Sequence, residues 1–267
     1  MGFYNLETLK EDAGRHGIKV LNPDINKSRA KCTVEGKSVR LGLMNVLGLG
    51  EASARAIEDA RKKHGDFKNI GDFLERTGVL EDVALNLTGA GGFDSLEPNR
   101  RKVKWEIGLR YRPVNTQLSL PLPVKQDLVE LESPGEWERM KDEYSLMGLF
   151  PGGHVMERLR PRLDSSLQCS RDIARMGDGT GVLTAGLVIR RQRPHGKVVF
   201  MTLEDEYGLI PLMVFPQVFE RQEYEFKSAF LMVKGTVSRR EGTMNVVVSR
   251  IKPFRVMDKV PLSKNWG

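Results

Sequence analysis

The sequence predicts an α+β chain of two unlike parts, a helical first part and a strand-rich second part. Three observations carry that reading. Apolar residues recur at helical spacing through the first part, and from about Gly179 the apolar period switches to two. Between them, residues 113–135 are punctuated by Pro113, Pro121, Pro123 and Pro134 and hold neither period. At 267 residues the chain has room for two domains of ordinary size.

Taken in order, residues 5–16 form a short amphipathic helix with Leu6, Leu9 and Ala13 on one face and Gly17 as its stop. Ile18 to Leu21 is extended, and Asn22-Pro23-Asp24 is turn chemistry. Ser38 to Leu43 is a strand that delivers the chain to Val46-Leu47-Gly48-Leu49-Gly50-Glu51. A helix follows at once, with Ala54, Ile57 and Ala60 on its apolar face. Asn69 caps the next helix, and a third runs from Leu80 to Leu87. The turn Gly89-Ala90-Gly91-Gly92-Phe93-Asp94 echoes the first glycine turn. A basic helix from about Glu97 to Tyr111 then carries Arg100, Arg101, Lys102 and Lys104.

Glycines at 48 and 50 permit a tight turn and leave no Cβ over the backbone. The amides of that turn and of the helix start would point outward together, a seat for a phosphate. This is the pattern of a helix-hairpin-helix, with Gly48, Leu49, Gly50 and Arg55 as candidate contacts. Gly89, Gly91, Arg100, Arg101 and Lys102 extend the candidate set to a tandem clamp. The residues alone leave open a plain packing turn and a solvated helix face. Glu51 opposes the phosphate reading, because it already serves the helix dipole. A dinucleotide site is excluded: Ser53 stands where the third glycine of that fingerprint belongs.

In the proline-limited stretch, Gln117-Leu118-Ser119-Leu120-Pro121-Leu122 is a glutamine followed by alternating leucines. It suits docking into an apolar groove of a partner, or packing as a linker on its own chain. Trp137 to Met147 is a helix whose Met140, Tyr144 and Met147 are core. The second part reads as strands at Val182–Arg190, Val198–Leu203, Ile210–Phe215, Phe230–Val237 and Met244–Val248. A helix around Phe219–Phe226 separates the third from the fourth. Five short strands so arranged describe an OB-fold barrel. Arg190, Arg191, Arg193 and Lys197 crowd the loop after its first strand, a place for a nucleic-acid backbone. Phe200 and Phe215 are expected in the core, and Glu204, Asp205 and Glu206 in an exposed hairpin turn.

The formal net charge of +7 and pI near 9.4 favour a polyanionic partner. No apolar run reaches the roughly 20 residues of a membrane helix, and the start lacks signal-peptide character. Two cysteines and four scattered histidines offer no zinc site, so no metal and no cofactor are expected, in a reducing cytoplasmic setting. No nucleophile arrangement or phosphate-loop lysine stands out. The expected catalytic residues are none, and the sequence favours binding over catalysis.

The order of parts resembles the C-terminal region of the bacterial DNA polymerase III alpha-subunit family. The matching residues are Thr8 to Ile18, Pro23 to Ser28, Arg40 to Leu43 with Gly48-Leu49-Gly50, and Ala90 to Leu96. Arg191-Gln192-Arg193-Pro194 and Phe200 to Glu206 look most like its error-prone, translesion branch. The resemblance implies six segments: 1–35 from the end of the fingers, 36–112 the tandem hairpins, 113–135 the linker, 136–178 a helical connector, 179–256 the barrel and 257–267 a tail. It further implies that Gln117 to Leu122 binds the sliding clamp and that the partners are DNA, duplex and single-stranded, and upstream polymerase domains. The palm and its catalytic aspartates have no counterpart here, so the chain alone is not expected to polymerise.

Overall fold

The computed structural model describes residues 6–111, 130–194, 198–240 and 242–254, and the backbone of 264–265. It forms two compact units, Asp12–Pro151 and Met1–Glu11 with Gly152–Gly267. No helix among the described residues is long and apolar enough to cross a membrane.

The chain opens on α1 (Leu6–Arg15) and a small sheet of three-residue strands, β1 (Lys19–Leu21), β2 (Thr33–Glu35) and β3 (Ser38–Arg40). β3 is central, parallel to β1 and antiparallel to β2. The unit Asp12–Pro151, which takes only the last residues of α1, holds this sheet and five helices: α2 (Glu51–His64), α3 (Ile70–Thr77), α4 (Glu81–Gly89), α5 (Arg100–Arg110) and α6 (Glu136–Met147). Their apolar faces meet in one core around Leu43, Ile57, Phe73, Leu87 and Ile107. Phe73 stacks edge-on against Phe67 at 5.1 Å and against Phe93 at 4.9 Å. Burying each such ring contributes roughly 1.5–3 kcal/mol. Asn69 caps α3, its side chain accepting from the Asp72 N–H.

The second unit is a closed five-stranded barrel with two short helices ahead of it, α7 (Val155–Leu159) and α8 (Ser170–Arg175). The stretch 136–178, expected as one connector, is therefore shared between the units: α6 packs in the first, α7 and α8 in the second. The barrel strands are β4 (Gly181–Gln192), β5 (Val199–Asp205), β6 (Gly208–Val214), β7 (Phe230–Arg240) and β8 (Thr243–Pro253), with α9 (Pro216–Arg221) between β6 and β7. They run in the order β5-β6-β8-β7-β4, and pairing of β4 with β5 closes the ring. A two-residue strand, β9 (Lys264–Asn265), lies parallel to β4. β6 and β8 are the one parallel pair within the ring, the mark of an OB-fold path. Gly235 sits at a register shift between β7 and β8, where a Cβ would run into the Val247 carbonyl oxygen.

Candidate nucleic-acid interface

The Gly48–Gly50 turn leaves the start of α2 open. Gly48 holds φ +83°, a conformation that side chains disfavour. Gly50 is the N-cap of α2 and supplies no side chain to the helix start. The amides of Glu51, Ala52 and Ser53 thus have no capping side chain and no partner within the helix. A Cβ built on Gly50 would meet nothing within 4 Å, so the approach is open. The loop is braced from behind: the Leu47 N–H donates to the Leu146 carbonyl at 2.8 Å, and Asn86 Nδ2 donates to the Leu47 carbonyl at 3.0 Å. Beside it lies an open groove of about 600 Å³, lined by Met44, Leu47, Gly48, Leu146 and Gly148 among others.

Glu51, the acid at the start of α2, is paired with a cation on its own helix. Arg55 grips its carboxylate at 2.6 Å, and that hydrogen bond holds the Glu51 pKa below the usual carboxylate value. Lys31, which the sequence reading did not single out, adds to the positive field on Glu51.

The second glycine turn is different. Residues 87–93 are buried, and Gly91 (φ +88°) packs so closely that a Cβ would lie 2.6 Å from Arg100 Nη2 and 2.8 Å from Asn22 Nδ2. Gly89 ends α4 under the Leu146 side chain. Arg100 is 4% exposed and donates to Asp94, Glu143 and the Gly89 carbonyl. Gly89, Gly91 and Arg100, expected as phosphate contacts, are instead a packed corner. Arg101 and Lys102 lie on the surface, paired with Glu138 at 2.6 Å and Glu97 at 2.7 Å. Such exposed pairs are weak enough to exchange for a phosphate.

On the barrel, two expectations change. Phe200 and Phe215 are exposed at 38% and 42%, not core. Phe200 sits on the outer face between Gln192 of β4 and Met213 of β6, with Thr202 and Pro211 paired next along the strands. This is an apolar platform on the first three barrel strands, suited to stacking bases. Arg190 is exposed, opposite Thr202. Arg191 is half-buried, and burial holds its pKa below the ordinary guanidinium value. Arg193 lies over the Phe219 ring at 4.7 Å. Lys197 and the peptide Gln117 to Leu122 fall outside the described residues.

The acidic triplet is likewise not an exposed turn. Glu204 and Asp205 end β5 and are buried. Asp205 accepts from the Ser170 N–H at 2.6 Å and from the Tyr207 and Gly208 amides. Arg160 holds Glu206 with two hydrogen bonds, at 2.7 and 2.9 Å. The triplet pins α8 and its approach to the barrel. Among the described residues no group of three or more His, Cys, Asp or Glu side chains is placed to hold a metal ion.

Comparison with known proteins agrees with this geometry. Residues 17–103 match a helix-hairpin-helix motif family, and residues 182–254 match a family described as OB-fold nucleic acid binding domain. The error-prone DNA polymerase of Pseudomonas paraeruginosa is 33% identical over 266 residues, covering 94% of this chain and 25% of the relative. Those of Anaeromyxobacter sp. (strain K) and Corynebacterium efficiens are each 33% identical, covering 95% and 96% of this chain and 24% of the relative. The chain is thus related by sequence, over nearly its whole length, to error-prone DNA polymerases, of which it spans about a quarter with a helix-hairpin-helix region followed by an OB-fold nucleic-acid-binding domain.

Proposed function

We propose that the chain is a DNA-holding portion of an error-prone DNA polymerase. The hairpin grips duplex backbone through the amides at the start of α2, and the barrel takes the single-stranded template across Phe200 and its neighbours. The observation that carries the reading is the uncapped, open helix start behind Gly48 and Gly50. Contacts of this kind meet phosphate and sugar, so they position DNA without reading its sequence. Gln117 to Leu122 is assigned to the sliding clamp, supported by its glutamine-and-leucine pattern and its position between hairpin and barrel.

Amide-resolved NMR during titration with a short duplex tests the hairpin assignment. The Glu51, Ala52 and Ser53 resonances should shift first and saturate together. Duplex binding that leaves those three amides unmoved would place the grip elsewhere.

A further inference from the structure

One end of the barrel carries a second site. A cavity of about 260 Å³ opens where the end of β4, the start of β5 and the segment after α9 meet. Its floor is buried and apolar: Val199, Met201 and Phe226 are 4%, 2% and 3% exposed. Its rim is exposed and polar, with Arg193, Lys227 and Glu223. One wall is a ready-made stack, the Arg193 guanidinium 4.7 Å over the Phe219 ring, itself 5.2 Å from Phe226. Arg191 forms part of the wall and donates to the Ser228 carbonyl.

The volume falls just below the range of roughly 300–1,000 Å³ typical of drug-sized ligands, which suits one flat ring system. Aromatic rings and guanidinium planes are the surfaces on which unpaired bases stack. The two rim cations fit a phosphate, and Glu223 and Gln192 supply an acceptor and an amide for a base edge. The outer-face platform around Phe200 meets this cavity only at Gln192; the cavity's floor of Val199, Met201 and Phe226 belongs to the barrel interior and Phe200 does not line it.

We propose that this cavity is a pocket for a single nucleobase with its adjoining phosphate. The base lies against Met201 and Phe226 beside the Arg193–Phe219 stack, and the phosphate meets Arg193 and Lys227. The pocket rests on the reading of the barrel as a single-strand binder if the base belongs to a strand. A free nucleotide offers the same chemistry, and the test separates the two sources.

Methyl-resolved NMR of Met201 and Val199 is followed with a short deoxyadenosine strand and, separately, with deoxyadenosine monophosphate. In parallel, affinity is measured for Arg193→Gln and Lys227→Gln, both exposed positions whose replacement leaves the fold intact, and for Phe200→Ala on the outer face. The pocket predicts that the strand shifts both methyl signals and that Arg193→Gln weakens strand binding about tenfold. If the strand binds, Phe200→Ala weakens it, and the methyl signals and Arg193→Gln show no effect, the pocket is overturned while the barrel's single-strand role stands. If the strand does not bind at all, that role fails and the mononucleotide decides. A methyl shift abolished by Arg193→Gln supports the pocket as a mononucleotide site, and no shift overturns it.

Discussion

Arg100 Nη2 donates to Glu143 Oε1 at 2.7 Å, and both side chains are 4% exposed. Asp94 adds a second carboxylate, accepting from the same Nη2 at 2.7 Å and from Nε at 2.9 Å. Burial opposes the charge on Arg100, but the two acids outweigh it and hold its pKa above the ordinary value. Burial pushes the Glu143 carboxyl up, and Arg100 offsets only part of that effect. The pair bolts α5 to α6 beneath the second glycine turn.

Removing Arg100 strips the buried Glu143 carboxyl of its cation and leaves the half-buried Asp94 unpaired with it. Arg100→Ala is therefore expected to destabilise the helical unit by roughly 3–5 kcal/mol, read as a lowered Tm and denaturant midpoint. Arg101→Ala, whose pair with Glu138 lies on the surface, should leave the midpoint close to wild type. Equal losses for the two would contradict the burial difference. A DNA-binding defect in an Arg100 variant reports on folding, so Arg101 is the informative position for phosphate contact.

The start of α2 allows stability and binding to move in opposite directions. Gly50 has φ −75° and ψ 170°, with open space where a side chain would go. Gly50→Asp places a carboxylate on the amides proposed to hold phosphate. Thermal denaturation should show a gain of a few tenths of a kcal/mol, while duplex affinity falls about tenfold at low salt. Unchanged affinity would mean those amides do not touch DNA.

Phe200→Ala should separate the barrel's two faces. The ring is more than a third exposed, so stability should change little. Single-strand affinity is expected to fall by about 5- to 150-fold, the effect of losing one stacked base. A variant that binds single strands as well as wild type would remove Phe200 from the platform.

Asp72 gives a pH-dependent contribution of known sign. It accepts from the Lys68 N–H at 2.9 Å and from Arg76 at 3.0 Å, and the backbone hydrogen bond is the main cause of its lowered pKa. Its stabilisation is present above the unfolded carboxylate pKa and is lost as pH falls through the folded value. Asp72→Asn should cost about 0.3–1 kcal/mol at neutral pH, and the difference from wild type should close in acid. A gap that stays constant with pH would assign the effect to shape, not charge.

Much of the architecture was legible because it rests on local periods. The switch from helical to alternating spacing near Gly179 placed the barrel, and Asn69 and the glycine turns placed helix ends. What was missed depends on partners distant in sequence. Arg100 looks like one more charge in a basic run until Glu143, 43 residues on, is brought against it. Glu204 to Glu206 look like a turn until Arg160 and Ser170 close over them. Of the three-residue strands, β1 and β3 lie within the stretches read as extended, whereas β2, set between turns, is too short to show a period.

Phe200 was misplaced for a different reason, since its size was weighed over its parity. Val199, Met201 and Leu203 alternate inward, which puts Phe200 and Thr202 outward. The threonine two residues on was the available signal. No such signal marks the cavity beside Phe219, because its walls come from three separated segments.

The most direct test is fluorescence anisotropy of labelled primer–template DNA and of single-stranded DNA, each titrated with this chain across a salt series. The account predicts binding to both, with affinity falling steeply and linearly in log salt and with little dependence on sequence. An absence of binding at low salt, or an affinity flat across the series, would contradict it.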